Sequence, residues 1–481
     1  IQIRINIDAM NTPQKQNISA CMIVKNEEGL LPSCLNSIKN VVDEMIIVDT
    51  GSTDNTIPIA KKFGAKIYHH PWNDSFSEAR NHSLRYASGD WILQIDADEE
   101  LEQADIPKLQ HAINDPRYNG IVVTIRSTIK DTVHIFYNTR IFRRGKGFYK
   151  DIIHEQIITE GERLPTDIRL DHHGYNLDEK TMQIKWQRTT RLLKKQIEQN
   201  KFDSFAWFNL IRNYRTQELF QDGINAGEEA LKIITRNPCL KNTGKNDNTH
   251  HYAMITYETA NCYLHKEDFI KARELCYATL SKLRESGITP ENIDITFTLA
   301  CTYLKEGSYK KAIDYFKRFL SLREWYLKNM NTNFMMIDTL GYDYAAHNGM
   351  GYCFGNLGQW EISINHLEKA ISCNPKFLTS YRNLASYYSS IESYNKATNI
   401  LLKAVSEGIA DDGVLLKLGE LYIHQKTYEM ATPYLEEYLK KHPEDKSALL
   451  KLAWLYENSG HLEAAPIGYR SVRAAKESTE C

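Results

Sequence analysis

Trp91-Ile92-Leu93-Gln94-Ile95-Asp96-Ala97-Asp98-Glu99-Glu100 decides how the first third of the chain is read. A short, mostly apolar run has the length of a buried parallel strand. Here it passes directly into acids at 96, 98, 99 and 100. The same succession occurs twice upstream. Ile18–Val24 is followed by Lys25-Asn26-Glu27-Glu28, and Glu44–Val48 by Asp49-Thr50-Gly51-Ser52-Thr53-Asp54. Further runs lie at Ala65–Tyr68 and Gly120–Ile125, with helical segments at Gly29–Ile38, Asn55–Phe63 and Phe76–Tyr86 between the runs. Strand alternating with helix predicts a doubly wound, Rossmann-like α/β layer.

Ligands of such sheets bind beyond the carboxyl ends of the strands, so the three polar clusters are expected to converge on one edge. Carboxylates a few ångströms apart repel unless something positive joins them. A divalent cation answers this, and an Asp-x-Asp oxygen set suits Mg²⁺ or Mn²⁺ rather than Zn²⁺. Such an ion bridges a diphosphate and neutralises it as it leaves. Taken singly, Asp49–Asp54 also reads as a helix cap, and Asp96–Glu100 as a solvated turn. Together, at equivalent places in one sheet, they favour a site.

From Thr132 to about Gln156 the texture becomes extended and aromatic, with turn residues at Arg144–Gly147. This predicts an added hairpin flanking the sheet. A charged helix over Glu179–Asn200 leads away from it. Beyond residue 200 the pattern is helical and repeats. Gly351, Ala385, Gly419 and Ala453 are 34 residues apart, each followed three residues on by an aromatic: Phe354, Tyr388, Tyr422 and Tyr456. Ser363, Ala397, Ala431 and Ala465 keep the same phase, and Pro375 and Pro443 close two units. This is the period of tetratricopeptide (TPR) helix pairs. Weaker copies run through Trp207, Leu210 and Tyr214, through Ala260, Tyr263 and Ala272, and through Ala300, Tyr303, Gly307, Ala312 and Phe316. Trp325–Tyr342 exceeds the period and reads as an insertion. A solenoid of this kind presents a concave face for a peptide or a partner protein. The expected division is an N-terminal extension over 1–17, an α/β domain over 18–178, a linker helix over 179–202 and an all-α TPR domain over 203–481.

The chain has 481 residues, 59 Lys plus Arg against 61 Asp plus Glu, and a formal charge of −2. That balance argues against a broad nucleic-acid-binding surface. An apolar share of 42% excludes global disorder. No run of 18 apolar residues offers a membrane span. Ile1–Asn17 lacks the charged start and apolar core of a secretory signal, and Met10 is a candidate native start. The nine cysteines are odd in number and show no metal-ligand spacing, which predicts reduced thiols in a cytoplasmic protein. Gly-x-Gly-x-x-Gly after the first strand, the P-loop, His-Glu-x-x-His and Gly-x-Ser-x-Gly are all absent.

Residues 18–175 resemble a GT-A-fold family 2 glycosyltransferase. The resemblance rests on Lys25-Asn26-Glu27-Glu28, on Val48–Asp54, on Trp72-Asn73-Asp74-Ser75-Phe76-Ser77-Glu78-Ala79-Arg80-Asn81, on Asp96-Ala97-Asp98 as the DXD motif, on Ile153-His154-Glu155 and on His172-His173-Gly174-Tyr175. It implies a UDP-sugar donor. Asp49 would bond the uracil, with Val24, Asn26 and Glu27 lining the base and ribose pocket. Arg80 and Asn81 would reach the nucleotide. Asp96 would contact ribose or metal, Asp98 would hold the metal, and His172 would complete its coordination. Inverting displacement needs a general base for the acceptor. The resemblance favours Glu155, with Asp151 and Glu99 as rivals. Phe148, Tyr149, Arg140 and Arg143 would shape the acceptor side or serve edge packing.

A GT-A domain joined to TPR repeats is similar to the sublancin-type bacteriocin peptide S-glycosyltransferases. That likeness implies transfer of a hexose, commonly glucose, to a cysteine of a ribosomal peptide held partly by the TPR region, and a homodimer formed through that region. A thiolate needs less help from a base than a hydroxyl does. Ser and Thr stay open as acceptors, as do transfer to cell-surface polysaccharide and protein O-glycosylation. A TPR scaffold carrying a dead transferase is the rival from another class, and intact Asp49, Asp96 and Asp98 argue against it.

Overall fold

The computed structural model describes residues 16–129, 132–174, 179–235, 247–287, 291–329 and 337–459. The chain separates into two compact units that meet in sequence at Glu258 and Thr259.

The first unit is built on one mixed sheet of eight strands, in the order β3-β2-β1-β4-β7-β6-β10-β5. Here β1 is Ile18–Val24, β2 Glu44–Asp49, β3 Lys66–His69, β4 Trp91–Gln94, β5 Glu99–Leu101, β6 Tyr118–Ile129, β7 Thr132–Arg143 and β10 Glu162–His172. β8 (Gly147–Lys150) and β9 (Gln156–Thr159) form a separate two-stranded ribbon. The first four strands are parallel, with Val24 beside Asp49, Asp49 beside His69 and Cys21 beside Gln94. β2 and β3 lie on one side of β1, and β4 on the other. The ends of β1 and β4 therefore frame a topological switch point, where a crevice opens.

Helices α1 (Leu31–Ile38), α2 (Thr56–Lys62), α3 (Phe76–Leu84) and α4 (Ile106–Ala112) follow or precede these strands. Alternate strand residues feed two cores. Ile18, Ala20, Met22, Ile47, Trp91 and Leu93 pack with Leu31, Leu35 and Ile38 of α1, while Cys21, Ile46 and Ile92 pack on the other face with Leu84 and Tyr86. Burial on both faces explains why the strands read as continuous apolar runs.

The expected flanking hairpin is only half right. β8 and β9 do flank the sheet, but β7 enters it between β4 and β6, antiparallel to both. A strand buried in mid-sheet and an edge strand carry similar residues, so their texture did not separate the two placements. The charged helix is present as α5 (Glu179–Gln199), followed by α6 (Ser204–Thr216) and α7 (Phe220–Thr235).

The helices continue as α8 (Asp247–His265) and α9 (Phe269–Glu285), α10 (Ile293–Lys305) and α11 (Tyr309–Asn329), α12 (Asp343–Asn356) and α13 (Trp360–Cys373), α14 (Leu378–Ser390) and α15 (Tyr394–Ser406), α16 (Asp412–His424) and α17 (Tyr428–Lys441), and α18 (Lys446–Ser459). Gly351, Ala385, Gly419 and Ala453 sit on α12, α14, α16 and α18. A Cβ added at Gly351 would lie 2.6 Å from Leu367 Cγ, and one at Gly419 2.7 Å from Leu435 Cγ. The small residue thus marks where paired helices touch. The turns between paired helices pass through a left-handed residue at Gly307, Gly358, Glu392 and Lys426. Part of the expected insertion lengthens α11, and its end, from Ile337, packs back on α10 through Thr339. Ala465 and Tyr175 lie outside the described residues.

That return creates a buried acid. Asp294 accepts from the Thr339 hydroxyl at 2.6 Å and the Thr339 amide at 2.9 Å. Burial, with Asp338 adding to it, pushes Asp294 up from an ordinary 3.8 to about 7. The folded unit then binds this proton more tightly than the unfolded chain does. Its contribution to stability falls as pH rises from about 4 to about 7, then levels off. Asp294→Asn should therefore gain stability relative to the parent at pH 8 and not at pH 4. Melting curves of both proteins across that range check this, and a pH-independent difference would refute it.

Candidate active site

The three strand ends do converge, and hydrogen bonds between the loops after β1 and β2 fix those two. Asn26, with a left-handed φ of 57°, accepts from the Thr53 amide at 2.8 Å, and its own amide donates to Ser52 Oγ at 3.0 Å. A non-glycine residue in that region costs energy and persists where neighbours over-determine it. The Glu27 amide donates to Thr56 Oγ1 at 2.7 Å. Asp49, at the end of β2 next to Val24, accepts from the Ser52 and Gly51 amides at 3.0 and 3.3 Å and meets His69 Nδ1 at 3.2 Å. Burial pushes the Asp49 carboxyl up, but these hydrogen bonds outweigh it and hold the group below its usual range. Glu27 behaves oppositely. Burial, then the charges of Asp98, Asp96 and Asp54, push it up to about 7.

Arg80 is the hub. α3 carries it into the crevice, where it is 7% exposed. Its Nε donates to Glu155 Oε1, and its Nη2 to Asp96 Oδ1 at 2.8 Å. Nη1 is buried with no hydrogen-bond partner among the described residues, an unused donor in the crevice. Asn81 is differently committed. Its amide donates to the Tyr149 carbonyl and accepts from the Tyr149 amide, both at 2.8 Å, which ties α3 to β8. Asn81 was expected to reach the nucleotide; here each polar end of its side chain holds one hydrogen bond to backbone.

The DXD turn is braced from beneath. Arg140 of β7 donates through Nη2 to Glu99 Oε1 at 2.6 Å and through Nη1 to Gln94 Oε1. Glu99, fully buried, accepts from the Asp96 amide at 3.0 Å. That burial raises its carboxyl group despite Arg140. This architecture removes Glu99 as a rival base, since it has no access to an acceptor. Asp96 lies 2.8 Å from Arg80 and 3.5 Å from Arg140. Burial opposes ionisation of Asp96, but the two guanidinium groups overcome it and hold its carboxyl well below the usual range. Asp96, expected to contact ribose or the metal, thus faces two arginines.

Asp98 has different company. β5 follows the DXD turn and pairs antiparallel with β10, with Glu99 opposite His172. This puts His172 Nε2 3.3 Å from Asp98 Oδ2, and its Nδ1 3.4 Å from Ser127 Oγ. Among the described residues no three His, Cys, Asp or Glu side chains gather as a metal cage. Asp98 and His172 alone, one hard oxygen donor and one imidazole, fit a divalent ion that takes its other ligands from substrate or water. Gly174 closes on this pair. A Cβ there would collide with Asp98 Oδ2 and sit 3.2 Å from His172 Cε1. Gly174→Ala should displace the Asp98 carboxylate and lower sugar transfer by roughly 10²-fold, with little effect on melting temperature. Steady-state rates of the variant test it, and an unchanged rate would show that Asp98 has room to move.

Glu155, with 14% of its side chain exposed, faces Arg80. Asp151 belongs to the same loop, whose amides at Ile152 and Ile153 donate to Gln196 of α5. Arg143 stacks over Trp91 at 4.5 Å and donates to the Tyr118 carbonyl, so it packs the sheet. Sequence reasoning missed the brace formed by Arg140, the fit of Gly174 and the approach of α5. A basic residue inside a buried strand was the available signal for Arg140.

Residues 19–212 match the family described as glycosyl transferase family 2, and residues 293–324 and 414–445 match tetratricopeptide repeats. The chain thus carries a family 2 glycosyltransferase domain followed by a TPR region. It is 37% identical over 174 residues to a TPR repeat-containing protein of Synechococcus elongatus, covering 34% of this chain and 43% of that one. It is 31% identical over 189 residues to the SPbeta prophage-derived glycosyltransferase SunS of Bacillus subtilis, covering 37% and 45%. The matches thus span less than half the length of these curated relatives. A tetratricopeptide repeat protein from Parabacteroides merdae covers 57% of this chain with a TM-score of 0.38 and 16% identity.

Proposed function

We propose that the protein is an inverting glycosyltransferase that moves a hexose, most simply glucose, from a UDP-sugar to a side chain of a peptide, cysteine before serine or threonine. The observation that carries this reading is the convergence of Asp49, Arg80 and the Asp98–His172 pair on one crevice. Asp49, Val24, Asn26 and Glu27 would receive uracil and ribose. Arg80 would offer Nη1 to the donor. Asp98 and His172 would hold Mg²⁺ or Mn²⁺, which supplies neutralisation of the leaving diphosphate. Glu155 would orient the acceptor and take its proton, with Asp151 as the alternative. Because Glu155 already accepts from Arg80, an acceptor that arrives as a thiolate suits the site better than a hydroxyl.

The TPR region would hold the peptide and pair two copies of the chain. No helix among the described residues is long and apolar enough to cross a membrane, which supports a peptide over a lipid-linked acceptor, and we place the reaction in the cytoplasm. The test is a mass-spectrometric assay with the full chain, a panel of UDP-sugars, Mg²⁺ or Mn²⁺, and Cys- and Ser-bearing peptides. A hexose shift on the Cys peptide that EDTA abolishes is the expected result. Donor hydrolysis without a peptide shift would move the acceptor to polysaccharide or a larger protein. No nucleotide binding would leave a TPR scaffold.

A further inference from the structure

The crevice has a charge problem that its known motifs do not solve. A nucleoside diphosphate brings negative charge to a site already lined by Glu27, Asp49, Asp96, Asp98 and Glu155. Arg80 lies between Asp96 and Glu155, and Arg140 is paired with Glu99. One divalent ion on Asp98 and His172 leaves the balance negative.

Helix α5 packs against the loop at Ile152 and the residues that open α3, and its register is fixed by several contacts. Gln196 Oε1 accepts from the Ile152 amide at 3.0 Å. Arg191 Nη2 donates to Asp74 Oδ1, at the start of α3, at 2.7 Å. One turn earlier, the Arg188 guanidinium lies 5.5 Å from the centre of the Phe76 ring. Positions 185, 188 and 192 share one stripe of a helix, and Leu192 on that stripe is fully buried. Leu192 thus faces inward, Lys185 on the same side is half-buried, and Arg188 between them is exposed beside Phe76. The charges of Asp98, Glu27 and Asp96 favour the Lys185 ammonium against the neighbouring Arg188, and Glu27 favours the Arg188 guanidinium against Arg191. Burial pushes Lys185 down from its ordinary value, and the three carboxylates pull it back.

We propose that Lys185 and Arg188 form the cationic wall of the donor crevice and bind the diphosphate of the sugar nucleotide together with the Asp98–His172 pair. The inference rests on the nucleotide-sugar reading of the site and adds the residues that make it electrostatically complete. Lysine and arginine are the usual partners of phosphate oxygens, and charge-assisted hydrogen bonds from them are the strong ones.

The experiment is calorimetric titration of the full chain with UDP and with uridine, in Mg²⁺ and in EDTA. Lys185→Gln and Arg188→Gln should each weaken UDP binding roughly tenfold and leave uridine binding unchanged. Lys185→Arg should restore most of the lost affinity. In EDTA the parent should still prefer UDP over uridine, and the double variant should lose that preference. Equal UDP affinity in parent and variants, with circular dichroism confirming the fold, would overturn the proposal while leaving the nucleotide site intact. Asp49→Ala supplies the contrast, because it should weaken uridine and UDP alike. A parent that binds neither ligand would overturn the nucleotide-sugar reading and this inference with it.

Discussion

Asp98→Ala is expected to reduce sugar transfer by at least 10²–10³-fold, the usual loss when an electrostatic stabiliser of a leaving group is removed. The fold should survive. Asp98 is tied to the structure through its backbone, its carbonyl accepting from the His173 amide at 2.8 Å, while its side chain meets His172 Nε2 at 3.3 Å. Circular dichroism and melting temperature should match the parent, and UDP affinity should lose its dependence on Mg²⁺. Retained turnover would remove the Asp98–His172 pair from the mechanism.

Arg80→Met should damage the domain itself. Removing one partner of a buried ion pair leaves an uncompensated charge and costs about 3–5 kcal/mol. Two carboxylates are affected here. Asp96 keeps Arg140 at 3.5 Å, whereas Glu155 loses its guanidinium. Lysine should rescue poorly, since a single ammonium does not reproduce a fork that reaches Asp96 and Glu155 together. Adding Glu155→Gln to Arg80→Met should recover part of the loss, and that non-additivity is the signature of the pair. Urea unfolding of the four proteins gives the cycle. A loss under about 1 kcal/mol would mean that water replaces the arginine at little cost.

What the sequence disclosed depended on the range of the interactions. Strands β1, β2 and β4 were legible because burial on both faces writes an apolar run, and their ends were legible because topology fixes where ligands go. The TPR phase was legible because close helix packing demands a small residue every 34 positions. Asp49 and Asp98 followed from that frame and from the family resemblance. Arg140 was assigned to edge packing or the acceptor side because nothing local distinguishes a strand inserted in mid-sheet from one beside it. The partners of Asp96 were hidden for a related reason. Arg80 and Arg140 reach it only after α3 and β7 have packed on either side of the DXD turn. Lys185 looked like one charge among many on a polar helix, and only the register set by Gln196 and Arg191 turns it inward.

The separation of partners along the chain sets when the site can exist. Arg80 and Glu155 are 75 residues apart, and Ser127 and His172 are 45 apart. Contacts that distant form late, after much loop entropy has been lost. During synthesis a nascent chain will have completed β1 to β4, with Asp49 and both DXD acids, well before His172 and Lys185 emerge. Until then the acids have neither their imidazole nor their cationic wall.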